Sequence, residues 1–332
     1  MTSILARVRG AFAPPGVTAA LEISATHVSV ATVEWERAGP RLTHHARRPL
    51  PDGALTPHLT SDNIRDRDAV VAAVRNVLDQ LPKRPAQVGL AVPDSVAKVS
   101  FVQLEQVPAR RADLHRLVAW QVKKAVPFRM EEAQMAYTSG APHGERGRQF
   151  VVTLVRRDIV QAYESVCADA GVHAGVVDLT SFNLINTVLT APTDDDADWL
   201  FMYLAPEYCT LAILRGEHLI FFRNRPASED AMLTDLVYQT AMYYEDHLAR
   251  NGARGLTRSV LVDATSAAAQ GTSAPSADGG RIRRMLEERL HTRVNDVWSD
   301  PGLRWGTEIA PSMISSLAAP VGLLLRGRVA TH

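Results

Sequence analysis

Cysteine is nearly missing from this chain: Cys167 and Cys209 are the only two in 332 residues. They stand far apart, with no CxxC or Cys/His spacing, which excludes a disulfide framework and a structural zinc site. Each falls in an apolar periodic segment, the setting of a buried thiol. A surplus of charge is missing too, because Lys+Arg and Asp+Glu both number 36. Nucleic-acid binders carry a basic surplus, so the composition argues against nucleic acid as a partner. No run of ~18 apolar residues occurs, so no segment reads as a membrane span. GxSxG, HExxH and Walker-type loops are absent, and His44-His45 sits in a strand pattern without ligand spacing. The expectation is no catalytic pair and no metal site.

What is present is apolar material in quantity, 46% of the chain, and enough length for about two lobes at ~100–200 residues per domain. Ala20–Glu36 reads as strand, turn and strand, with Leu21 and Ile23 before Ser24-Ala25-Thr26-His27 and the alternating Val28, Val30 and Thr32 after it. A third strand is expected at Arg41–Arg47. The same order returns 181 positions later: strand Leu200–Leu204, turn Ala205–Tyr208, strand Cys209–Leu214, Gly turn, strand His218–Arg223. Two three-stranded meanders in one chain predict a duplicated core.

Between and after the meanders the pattern predicts a mixed α/β architecture. A helix through Val70, Val74, Val77 and Leu78 is capped by Asp62 or Asp66. It precedes the apolar strand Gln87–Val92. An inserted block then follows at about 96–177, with strand Val96–Leu104, helix Arg111–Val126, two strands, a helix and a strand. Pro192–Asp198 breaks the composition and marks the lobe boundary. Its four aspartates lack the Gly turn and terminal Glu of a Ca²⁺ loop, so a solvated turn is the better reading. The map is therefore a tail or short amphipathic helix at 1–16, a first lobe at 17–192 and a second lobe at 198–326. Thr265–Gly280 is low in complexity and is expected to be a flexible loop.

Several passages carry a family resemblance. VQLEQVPARRADLHRLVAWQVKKAVPFRMEEAQMAY keeps Pro127-Phe128, Glu131-Glu132 and Tyr137, and a second segment keeps Ala170-Gly171, Asp178, Phe182 and Asn186. With the closing APVGLLLR, these resemble the PilM family of type IV pilus assembly proteins, relatives of the division protein FtsA. The resemblance runs from about Val17 to Arg326. It implies the two-lobed actin-like fold of the actin, Hsp70 and sugar-kinase superfamily, a duplicated ribonuclease H-like core with an inserted α/β subdomain.

In that superfamily ATP lies between the lobes, held by two Asp-x-Gly turns and a Gly-Gly turn. Glycine lets backbone N–H groups approach phosphate, and the aspartates hold Mg²⁺. Here the first turn offers Glu22, Ser24 and Thr26. The second offers Tyr203, Leu204, Ala205 and Pro206, with no acid, no glycine and a proline that donates no N–H. Asp263 is the one polar group at the third, where a cap is its commoner use. The expectation is a degenerate nucleotide site and no cofactor, with Mg-ATP the ligand it would take if any.

The resemblance further implies a cytoplasmic scaffold at the inner face of the cytoplasmic membrane. Its partner would be the N-terminal tail of a PilN-like membrane protein, which also supplies the membrane attachment. A pilus motor ATPase and further copies of the chain are the other contacts it implies. Val99, Phe101, Trp120, Lys124 and Phe128 are the candidate groove residues, although Trp120 and Phe128 fit an ordinary core equally well. Alternatives are an ATP-binding switch or filament-forming protein, and a GspL-like secretion component. The latter would carry a transmembrane helix, which the sequence up to His332 lacks.

Overall fold

The structure, a computed structural model, describes residues 17–37, 39–143, 146–190, 197–227, 230–249, 255–265, 277–290, 292–297, 304–305 and 311–326. The expected tail at 1–16, the aspartates 194–196 and the loop at 266–276 lie outside these residues. The last four positions of that expected loop instead begin a helix.

The first meander comprises β1 (Ala19–Ile23), β2 (His27–Glu36) and β3 (Gly39–Pro49), paired antiparallel. The helix α1 (Arg67–Asp79) starts where Asp66 accepts a bond from the Ala69 N–H, and it buries Val70, Val74, Val77 and Leu78. Strand β4 (Gln87–Val92) then pairs parallel with β1. Five of its six residues are buried, as its unbroken apolar run requires of a strand covered on both faces.

Next comes the insertion: β5 (Ala97–Leu104), α2 (Arg111–Val122), β6 (Ala133–His143) and β7 (Gly147–Arg156), which form a separate sheet in the order β5-β7-β6. Val118 and Val122 of α2 close its small core over Val102, Phe150 and Leu154. The insertion is narrower than the expected 96–177. Helix α3 (Arg157–Asp169) buries Ile159, Tyr163, Val166 and Cys167 in the first lobe's core, and β8 (His173–Leu179) pairs parallel with β4. Helix α4 (Thr180–Val188) leaves the first lobe almost wholly buried.

The second lobe repeats the first. Its strands are β9 (Asp198–Leu204), β10 (Tyr208–Arg215) and β11 (His218–Pro226). Then follow α5 (Asp230–Tyr243), a π-turn at Tyr244–Leu248, β12 (Leu256–Asp263), α6 (Ala277–Leu290) and β13 (Val294–Asp296). The order β11-β10-β9-β12-β13 matches β3-β2-β1-β4-β8 in the first sheet. Even the register is kept, for Ile23 faces Val28 as Leu204 faces Cys209.

The C-terminal segment corrects the expected second lobe at 198–326. Strand β14 (Arg304–Trp305) pairs with β3, and α7 (Pro311–Leu325) packs on the first lobe. Its Leu317, Val321 and Leu324 cover the face of the six-stranded sheet that Ala20, Ala31 and Leu42 present. Helices α7 and α4 approach so closely that a Cβ on Gly322 would stand 1.8 Å from the Asn183 carbonyl oxygen.

Asp198, one of the four acids at the boundary, is a structural anchor. It takes two 2.8 Å bonds from Arg215 and one of 2.9 Å from the Tyr244 hydroxyl. Both cysteines are free and buried, and burial pushes each thiol up to about 12.

Candidate functional site

The two hairpin turns meet at the interface of the lobes, with Ala25 of one and Ala205 and Tyr208 of the other in one core. In the first, the Ser24 N–H donates to the His27 carbonyl at 2.9 Å, and the His27 N–H returns a bond to Ser24 Oγ at 3.0 Å. Ser24 Oγ and Thr26 Oγ1 also lie 2.9 and 3.1 Å from His27 Nδ1. Both hydroxyls are therefore spent inside the turn.

Glu22 ends β1 beneath this turn and is 3% exposed. Burial raises its carboxyl to about 8, against the opposing pull of Thr180, Arg47 and Ser29. The Thr180 hydroxyl donates to it at 3.3 Å, and Ser29 Oγ lies at 3.5 Å. His27 Nε2 stands 3.8 Å away, but burial lowers that ring to about 3. At neutral pH both groups are thus uncharged, and their approach is no ion pair.

The second turn copies the first in backbone only. The Ala205 N–H donates to the Tyr208 carbonyl at 2.9 Å, as Ser24 does to His27. The side chains are those of a core: Tyr203 and Tyr208 are buried, with rings edge-on at 5.7 Å. The Tyr208 hydroxyl accepts the Asp94 N–H at 3.2 Å.

Asp94 is the polar centre of this contact and is 1% exposed. From the first lobe it receives the Ser181 N–H at 3.0 Å and the Ser181 hydroxyl, and from the second the Thr210 hydroxyl at 2.7 Å. Asn224 Nδ2 supports Thr210 at 2.9 Å. Helix α4 has no capping bond from its own preceding side chain, so Asp94 supplies the acceptor its N-terminus needs. Burial nevertheless raises Asp94 to about 6. Asp263 ends β12 opposite Leu204 and accepts the N–H and hydroxyl of Thr265 at 2.9 and 2.5 Å. That is the cap its sequence position suggested.

A different space stays open. A mostly apolar cavity of about 380 Å³ lies where the inserted sheet meets the first lobe. Strands β6 and β8 flank it, each the outer strand of its sheet. Tyr163 of α3 and Phe182 and Asn186 of α4 line it, and Leu214 and Leu219 border it from the second lobe.

A family model described as type IV pilus assembly protein PilM matches residues 20–256. The chain belongs to the PilM family. A solved PilM–PilN type IV pilus biogenesis complex contains a chain of the same fold. It is 18% identical, the match covers 95% of this chain and 99% of that one, and the TM-score is 0.76. The ethanolamine utilization protein EutJ from Carboxydothermus hydrogenoformans matches at 10% identity over 95% and 92% of the two chains, with a TM-score of 0.49. The cytoplasmic domain of EpsL from Vibrio cholerae matches at 10% identity over 91% and 93%, with a TM-score of 0.47. No curated protein sequence matches this chain.

Within this PilM-family fold, Glu22, Ser24 and Thr26 come together at the lobe interface, and Asp263 lies at the end of β12, opposite Leu204. None of the five expected groove residues lines the cavity. Val99 is buried and Phe101 half-buried on β5, the opposite edge of the insertion from β6. Trp120 is 64% exposed with Lys123 over its ring, Lys124 is exposed, and Phe128 packs on the insertion's own core. Val99 packs in the core shared with the first lobe, with Phe101 against it, and local periodicity could not say which sheet edge borders the cavity. Asp94 stands between Pro93 and Ser95, and the sequence carries no other signal of its place in this network. Asn186, by contrast, was already visible as a position matching the family.

Proposed function

We propose that this chain is a cytoplasmic scaffold of a type IV pilus, or a related inner-membrane assembly complex, and not an ATPase. The groove between β6 and β8 docks the N-terminal tail of a PilN-like membrane protein, which holds the scaffold at the inner face of the membrane. The contrast between the two sites carries this reading. The lobe interface is filled by Glu22, Asp94, Tyr203 and Tyr208, whose polar atoms bond to this chain's own groups. The groove is apolar, open and bordered by two unpaired sheet edges, the setting in which an extended peptide adds to a fold. Membership of the PilM family, and a solved relative whose complex includes PilN, support the choice of partner.

The nucleotide half of the proposal follows from charge and access. A Mg²⁺-phosphate group needs an ionised carboxylate and free N–H donors. Glu22 keeps its proton, the turn hydroxyls are engaged, and Pro206 has no N–H to offer. Calorimetry of the full chain tests both halves. The expected outcome is micromolar binding of a peptide copying the cytoplasmic tail of the accompanying PilN-type protein, and no heat from Mg-ATP. Micromolar binding of Mg-ATP would overturn the non-ATPase reading, and failure of the tail peptide would overturn the docking.

A further inference from the structure

The groove keeps two polar groups for which the fold has no use. Asn186 on α4 is 2% exposed, and neither its Oδ1 nor its Nδ2 has a hydrogen-bond partner among the described residues. Tyr163 on α3 is 1% exposed, and its hydroxyl likewise has no partner among the described residues. Both side chains line the cavity. Buried polar atoms without partners keep their full desolvation cost, which is why most buried polar groups are paired. Leu at 186 and Phe at 163 would fill the same space without that cost. The free protein therefore carries a donor and an acceptor side by side on an apolar floor.

The walls say what would complete them. An extended segment lying along β6 or β8 pairs its main chain with one strand edge. In a strand, the N–H and C=O of one residue point the same way, and the antiparallel ladder uses them as a pair. A carboxamide presents the complementary pair, Oδ1 for the N–H and Nδ2 for the C=O.

We infer that Asn186 clamps the main chain of the docked segment through the N–H and C=O of one residue, and that Tyr163 donates to a neighbouring backbone carbonyl. This rests on the docking proposed above and adds what the groove reads. At this point it recognises backbone, so side chains of the tail are free to vary there while proline and N-methylated residues are refused.

The test titrates the full chain, as wild type, Asn186→Leu and Tyr163→Phe, with the tail peptide of the accompanying PilN-type protein and an N-methyl scan of that peptide. Asn186→Leu is expected to weaken binding about tenfold while melting at the same or a higher temperature. Tyr163→Phe should weaken binding several-fold with its fold intact. One N-methyl position should weaken binding to the wild type and have no further effect on Asn186→Leu. If the wild type binds but both variants bind as tightly, or if N-methyl losses simply add to that of Asn186→Leu, the clamp is wrong and docking stands. If the wild type does not bind the unmodified peptide, docking falls and the clamp with it.

Discussion

Glu22 occupies the end of β1, where its carboxyl holds a proton up to about pH 8. An unfolded Glu releases that proton near its ordinary value of 4.5, so the folded state binds more protons between the two. Stability from this group is present at low pH and is lost as pH rises through that window, by on the order of a few kcal/mol in full. His27 acts with the opposite sign, because its pKa falls from 6.5 to about 3 and it resists the proton that acid would add. Glu22→Gln keeps the shape and removes the titration. Thermal melts are expected to show the wild type losing stability relative to this variant from pH 4.5 to 8, and parallel curves would contradict the assignment. No pattern in the sequence shows that proton, since Glu22 reads there as a conservative stand-in for aspartate. Burial decides otherwise, and it comes from Thr180, Ser29 and the opposing lobe.

The element that returns the chain to the first lobe is α7. Its contacts with α4 bring two helix backbones together: the Thr187 hydroxyl of α4 donates to the Ala318 carbonyl of α7 at 2.9 Å, and Gly322 of α7 lies against Asn183 of α4. A side chain at 322 meets backbone, which cannot step aside as a flexible side chain can. Gly322→Val is therefore expected to destabilise by about 3 kcal/mol or more, by overpacking, and chemical denaturation measures it. The buried ion pair of Arg326 with Asp178, at 2.6 Å, closes the same contact. Helix α7 was legible as an apolar helix, and its closing motif as a family trait. Its partner was not legible, because an apolar face does not name the sheet it will cover.

At the scale of the molecule, a buried polar network bridges the lobes. Asp94 and Ser181 from one lobe meet Tyr208, Thr210 and Asn224 from the other. Thr210→Val removes one donor from a buried carboxyl group and should cost about 1–3 kcal/mol. It should also speed amide exchange at 203–210, because the lobes then part at lower cost. Unchanged exchange would mean that apolar packing alone holds the interface. The groove lies apart from this network, where the insertion meets the first lobe.

By itself the sequence determined the duplicated meanders, the insertion, a helix capped at Asp62 or Asp66 and two turns without glycine at 24–27 and 205–208, because each is written in neighbouring residues through strand alternation, helical period or turn chemistry. Only the tertiary structure decided which edge of the insertion faces a groove, that α7 returns to the first lobe, and that Asp94 stands at the lobe interface. These depend on residues far apart in the chain, whose meeting is set by the packing of whole layers. The burial that holds the proton on Glu22 and leaves Asn186 without a partner is a property of those layers, and no local pattern records it.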